Sequence, residues 1–177
     1  IYTSIRKPGS QIITLHNITV ENSTNGIIIK NTEIALRNST ISNIEKDGLY
    51  IRDDVIKPPT IVDNSTFTNC EWAIHSIGIN VTMKNVIFNK QREGWYLVEF
   101  FLYVNVYNKT TRQPIENAIV KIYNSTGVFI EQQYTNPDGY AEFILKSMSI
   151  DNQGQTCIYY PYKVVATYGT NTNYTWV

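Results

Sequence analysis

The sequence has no excess charge. Fifteen Lys and Arg balance fifteen Asp and Glu, and charged residues make up only 17% of the chain. Without net positive charge there is no electrostatic case for nucleic acid or an anionic membrane as the main partner. No apolar run approaches the roughly 20 residues that a membrane helix needs. Apolar positions do not recur at the 3.6-residue period, so amphipathic helices are not expected. The two histidines, His16 and His75, stand at no metal-ligand spacing from each other or from a cysteine. The G-x-S-x-G, P-loop, dinucleotide and C-x-x-C patterns are missing. The sequence therefore assigns no catalytic residue, no metal and no cofactor. Cysteine is scarce too: Cys70 and Cys157 allow one bridge or two free thiols, and sequence gives no connectivity.

Ile, Tyr, Asn and Thr are what the chain has in quantity. β-Branched and aromatic residues favour strands, and Asn favours turns, which predicts an all-β protein. Eight N-x-[ST] sequons begin at Asn17, Asn22, Asn38, Asn64, Asn80, Asn108, Asn124 and Asn173. That density points to a secreted glycoprotein, extracellular or on a cell surface. No signal peptide is visible, as in a mature form or a fragment.

Four segments repeat one pattern: "NITVENSTNGIIIK" from Asn17, "NSTISNIEKDGLYI" from Asn38, "NSTFTNCEWAIHSI" from Asn64 and "NVIFNKQREGWYLV" from Asn85. The spacings are 21, 26 and 21 residues. The longer one holds an insertion around "DVIKPP", whose prolines suit a loop. Such a period, with short strands between turns, is a solenoid signature. Stacking coils about 4.8 Å apart would bury a core that one coil cannot bury alone. Alternation predicts three internal stacks: Leu15, Leu36, Val62 and Met83; Val20, Ile41, Phe67 and Phe88; Ile27, Leu49, Ile74 and Trp95.

This order of Asn, apolar residue, turn, small residue and apolar strand resembles the right-handed parallel β-helix repeat of pectate-lyase-like proteins and of many archaeal and bacterial surface proteins. The resemblance covers about residues 10 to 98. It implies that Asn17, Asn38, Asn64 and Asn85 stack at a tight bend with their side chains hydrogen-bonded along the solenoid. A buried ladder Asn cannot carry a glycan. Asn22, Asn80, Asn108, Asn124 and Asn173 are therefore the preferred glycan sites, ahead of Asn17, Asn38 and Asn64.

From about Glu99 the repeat stops. "LYVNVYN" and "AIVKIYN" alternate at period two, and "NPDG" is a turn. The motifs "PIENAIVKIYN" and "TNPDGYAEFIL" resemble the carboxypeptidase regulatory-like, or transthyretin-like, β-sandwich, over about residues 101 to 170. Six strands are expected, near 101–107, 117–123, 128–134, 140–146, 162–168 and 173–177, with 147–161 a less regular loop. The expected organisation is a four-coil parallel β-helix over 1–98, with an N-terminal extension at 1–10, then an antiparallel β-sandwich over 99–177.

Carboxylates do not converge. Asp53 and Asp54 flank the insertion, and Asp63 shares a mixed-charge outward column with His16, Arg37 and Lys84, which reads as a solvated face. One outward column stands out: Ile28, Tyr50, His75 and Tyr96 form an apolar and aromatic ridge suited to protein contact or sugar stacking. The sandwich is one strand short of the usual seven. Ile1, Tyr2 and Ile5 are strand-prone and precede Pro8 and Gly9, so donation of this segment to a neighbour's sandwich would give a homopolymer. The reading is a non-enzymatic, N-glycosylated structural subunit of a filament or surface layer, resembling archaeal cell-surface components. The rivals are a carbohydrate-active β-helix enzyme and a carbohydrate-binding adhesin.

Overall fold

The computed structural model describes residues 2–3, 12–53 and 60–177, and there is no helix among them. β1 (Tyr2–Thr3) precedes four coils of three strands each. The first coil holds β2 (Ile13–His16), β3 (Thr19–Ser23) and β4 (Ile27–Lys30), and the second holds β5 (Ile34–Arg37), β6 (Thr40–Ile44) and β7 (Leu49–Arg52). The third holds β8 (Thr60–Asp63), β9 (Thr66–Thr68) and β10 (Trp72–Ile77), and the fourth β11 (Val81–Lys84), β12 (Ile87–Asn89) and β13 (Gly94–Asn105). Equivalent strands pair in parallel, coil on coil, in the orders β2-β5-β8-β11, β3-β6-β9-β12 and β1-β4-β7-β10-β13. This is the parallel β-solenoid that the repeat predicts.

Two of the expected internal stacks are in register as read: Leu15, Leu36, Val62 and Met83, and Val20, Ile41, Phe67 and Phe88. The third departs at its last member. Ile27, Leu49 and Ile74 are fully buried, but Ile74 pairs with Tyr96, not Trp95. Tyr96 is 5% exposed, and its hydroxyl accepts hydrogen bonds from Ser76 Oγ and the Val81 amide, both at 3.2 Å. The cause is turn length. Five residues separate Asn69 from Ile74 and six separate Lys90 from Tyr96, so aligning the coils on their small residue misplaces the fourth by one. A slip of one reverses every facing in a strand. Tyr96 therefore leaves the outward ridge, and Leu97 takes its place beside His75.

The corners are made by residues in the left-handed region. Asn17, Asn38, Asn64 and Asn85 lie at φ 48–56°, and Asn22, Asn43, Asn69 and Lys90 make a second set at φ 52–55°. Asn tolerates this conformation better than other residues with a Cβ, because its short amide finds local partners. Along the first corner Asn64 Nδ2 donates to Asn38 Oδ1, and Asn38 Nδ2 to His16 Nε2, each at 2.7 Å. Along the second, Asn69 donates to Asn43 and Asn43 to Asn22, each at 3.1 Å. Contrary to expectation, the ladder asparagines are exposed; the residues after them are the buried ones. Ser39 and Ser65 each donate to the carbonyl two residues back and accept an amide from the coil before, Ile18 N and Ser39 N respectively. Thr19, Thr40 and Thr66 then open the next strand in register. The recurrent Asn-Ser-Thr is thus a corner, an inner bracket and a strand start.

The second compact unit comprises 101–147 with 158–177, whereas 148–157 belong with 1–100. Its strands are β14 (Ile119–Tyr123), β15 (Phe129–Tyr134), β16 (Tyr140–Asp151), β18 (Lys163–Tyr168) and β19 (Asn171–Trp176), with the end of β13; β17 (Thr156–Ile158) lies at the boundary. One sheet runs β15-β14-β18-β19, antiparallel throughout. Val120, Ile122 and Val164 from this sheet and Ala141, Phe143 and Leu145 from β16 are buried at alternate positions, as two facing sheets require. The stretch expected as a loop is instead the end of β16, a turn in which Asp151 Oδ1 accepts from the Gln153 and Gln155 amides, and β17. Cys70 is buried and Cys157 exposed, both as free thiols, so the bridge is not made.

The corner account is tested at Asn64. Replacement by Ala removes the ladder and, with it, the amide that makes the left-handed conformation tolerable for a residue with a Cβ, which should lower unfolding free energy by about 2 kcal/mol. Replacement by Gly removes only the ladder and should cost about half as much. Equal losses in denaturant titrations would mean that backbone conformation is not what Asn supplies.

Candidate functional site

The outer face of the β4-β7-β10-β13 sheet carries a column of Ile28, Tyr50, His75 and Leu97. Three of the four residues expected there are present, with Tyr50 and His75 edge to face at 5.1 Å between ring centroids. Of the proposed interface residues at the N-terminus, Ile1 and Ile5 lie outside the described residues, as does Asp54 beside the insertion. Tyr2 belongs to β1, which pairs in parallel with β4 of its own chain.

His75 is clamped. Its Nδ1 meets Asp47 Oδ2 and its Nε2 meets Glu99 Oε2, each at 3.0 Å, with all three side chains less than one-fifth exposed. Asp47 comes from the turn before β7, His75 from β10 and Glu99 from β13, so the clamp joins three successive coils. Burial works against the charged ring; the hydrogen bonds it donates to Asp47 and then Glu99 override this and push the His75 pKa up to about 9. Burial also raises the Tyr50 phenol, against the pull of the hydrogen-bonded Arg52 guanidinium. A protonated ring with both nitrogens engaged has no lone pair to accept a proton. The cluster holds coils together and carries buried charge; it is not arranged as a general base.

Sequence reasoning found His75 and missed its partners. Glu99 stands in β13 where the repeat is read to stop, and Asp47 sits in a turn whose extra residue hides its height on the column. Asp63, read as a solvated carboxylate, is paired with Arg37 at 3.2 Å along the expected mixed-charge column. Among the described residues no cluster of His, Cys, Asp and Glu could hold a metal ion.

The sequons divide by what their amide nitrogen does. At Asn38 and Asn64 the Nδ2, the atom a glycan would replace, is engaged in the ladder. At Asn22 it is Oδ1 that serves the ladder. In the second unit Asn108 Oδ1 accepts from the Thr110 and Thr111 amides, Asn124 Oδ1 from Thr126 and Val128, and Asn173 Oδ1 from the Tyr174 amide. In all three it is Oδ1, not Nδ2, that these bonds engage. Asn17 and Asn80 are exposed.

No family model, curated protein or solved structure matches the chain. The likeness to β-helix and sandwich families therefore rests on architecture and motif alone.

The clamp makes stability depend on pH. With the folded pKa near 9 and the unfolded value near 6.5, the stabilisation is complete below pH 6.5 and is lost as pH rises through 9. A shift of this size corresponds to about 3 kcal/mol. The stability advantage of the wild type over His75→Gln, from urea unfolding, should shrink by that order between pH 6 and pH 10. A constant difference would show that the ring is not held protonated.

Proposed function

We propose that the protein is a non-enzymatic structural subunit of an extracellular assembly, a filament or surface layer of the kind found on archaeal cell surfaces, and that it carries N-linked glycans. The observation that carries this reading is where apolar side chains meet solvent. Among the described residues, only two exposed large hydrophobics, Ile12 and Ile87, lie in the first unit; the others lie in the second. They gather at the edges of its four-stranded sheet: Val128, Phe129, Ile130 and Tyr134 at β15, and Tyr174, Trp176 and Val177 at β19. Exposed apolar edge strands are sites of pairing with other chains.

The Asp47–His75–Glu99 cluster favours a second reading, a carbohydrate-active β-helix enzyme, because paired carboxylates on the outer face of a solenoid are the groups such chemistry uses. Reducing-sugar release from a polysaccharide panel, abolished by Asp47→Asn, would replace the structural reading with this one.

Two measurements test the proposal. The protein should associate with increasing concentration in sedimentation velocity and form ordered particles in electron micrographs, and Phe129→Ser with Tyr134→Ser should leave it monomeric with an unchanged melting temperature. A wild type monomeric at millimolar concentration defeats the proposal. In glycopeptide mapping of native material, Asn108, Asn124 and Asn173 should be occupied and Asn38 and Asn64 bare; the reverse pattern would refute the division by amide nitrogen.

A further inference from the structure

The second unit holds a cleft of about 860 Å³ between the end of β13, the 106–115 loop and the β18–β19 hairpin. Its size is that of a ligand site. Its chemistry is one-sided. Lys109 and Arg112 line it, and no Asp or Glu does. Asp138 belongs to a smaller recess beyond Tyr107 and Arg112. In a chain of zero net charge, two cations without a carboxylate in one cleft make a local positive field.

Three tyrosines line the same space, Tyr107, Tyr168 and Tyr174, each more than half exposed. The Arg112 guanidinium lies 5.4 Å from the Tyr107 ring centroid, and the Lys163 ammonium 4.6 Å from that of Tyr174. Arg112 thus lies over a ring of the cleft, and Lys163, which is not among the lining residues, over another. Asn105 and Asn171 add amides that can donate and accept at once. Flat aromatic faces match the C–H faces of pyranose rings, amides match vicinal hydroxyls, and the cations match carboxylates.

We infer that this cleft binds an acidic oligosaccharide, with Tyr107 and Tyr174 as stacking surfaces and Arg112 and Lys109 as carboxylate contacts. The same charge argues against the chain's own first residues as the occupant. "IYTSIRKPGSQ" contains Arg6 and Lys7 and no acidic residue, and its Tyr2–Thr3 already pairs with β4. The sugar has two sources. It comes from an external polysaccharide, or it is the protein's own N-glycan, because two sequon asparagines, Asn108 and Asn173, line the cleft. The site shares Tyr174 with the β19 edge but none of its lining with β15, and the assembly variants lie in β15 alone, so either proposal can fail without the other.

The test is calorimetric titration of the whole chain, produced without glycosylation, with an alginate hexasaccharide. Binding should appear, weaken with added salt, and fall at least tenfold for Tyr107→Ala and for Arg112→Asn. Asn suits the φ of 60° at that position, and unchanged melting temperatures would show that both variants fold. Uncharged maltohexaose should not bind measurably. Glycosylated protein separates the sources: lost binding places the glycan of Asn108 or Asn173 in the cleft, and retained binding assigns it to an external polysaccharide. The inference is overturned by absence of hexasaccharide binding, by equal binding of maltohexaose, by no effect of either variant, or by tighter binding of a poly-glutamate peptide, which would make the cleft a peptide site.

Discussion

A solenoid coil has to turn at the same places as the coil before it, because a parallel ladder tolerates no drift in register. Among the described residues, the first two corners of every coil are taken by a residue at positive φ, and all but Lys90 are asparagines. The rest of the first unit follows from that constraint. Once the corner is left-handed, the next side chain points inward, where Ser39 and Ser65 tie the turn to the neighbouring coil. The strand phases are then set, and the apolar columns align without further instruction. Gly26 and Gly48 show how closely the turns approach: a Cβ on Gly26 would lie 2.0 Å from the Gly48 carbonyl oxygen.

The fourth coil obeys the rule with different residues. Lys90 takes the second corner at φ 53°, and buried Gln91 reaches from its inner side to the Cys70 amide and the Phe67 carbonyl. Arg92 then crosses two coils, donating to Asn69, Ile44 and Glu45. Longer polar side chains here do the work that Ser does elsewhere. The His75 clamp is a comparable tie on another face, made of charge instead of amides. Cross-coil ties of this kind let a short stack behave cooperatively, since the loss of one coil unpairs groups in its neighbours.

Most of this was legible in the repeat. The period and the inward alternation identified two complete columns and three members of the third, because stacking demands the same residue class at each height. What failed was parity. The small residues at Gly48, Ala73 and Gly94 look equivalent, but the fourth corner is a residue longer than the third, and nothing in composition reports that. Tyr96 therefore takes the place expected of Trp95 in the column, while the Trp95 ring stacks on Phe88 at 5.5 Å between centroids. The second corner was missed because in its last coil Asn gives way to Lys. Asp47 and Glu99 escaped notice because each becomes His75's partner only across coils, at a separation no linear motif records. The sandwich strands were readable from period two, whereas β17 lay in a polar stretch whose turn is made by one carboxylate, Asp151.

The Asn-Ser-Thr corner is one string addressed to two readers. The folding chain reads it as turn, bracket and strand, and an N-glycosylating enzyme acting on the chain would read the same three residues as an acceptor. Both want the amide of the asparagine, and only the first to arrive obtains it. Bare Asn38 and Asn64 would then record a coil that closes, with Nδ2 in the ladder, before such an enzyme reaches it. Occupancy at these two positions would act as a clock for solenoid closure, written into the finished molecule.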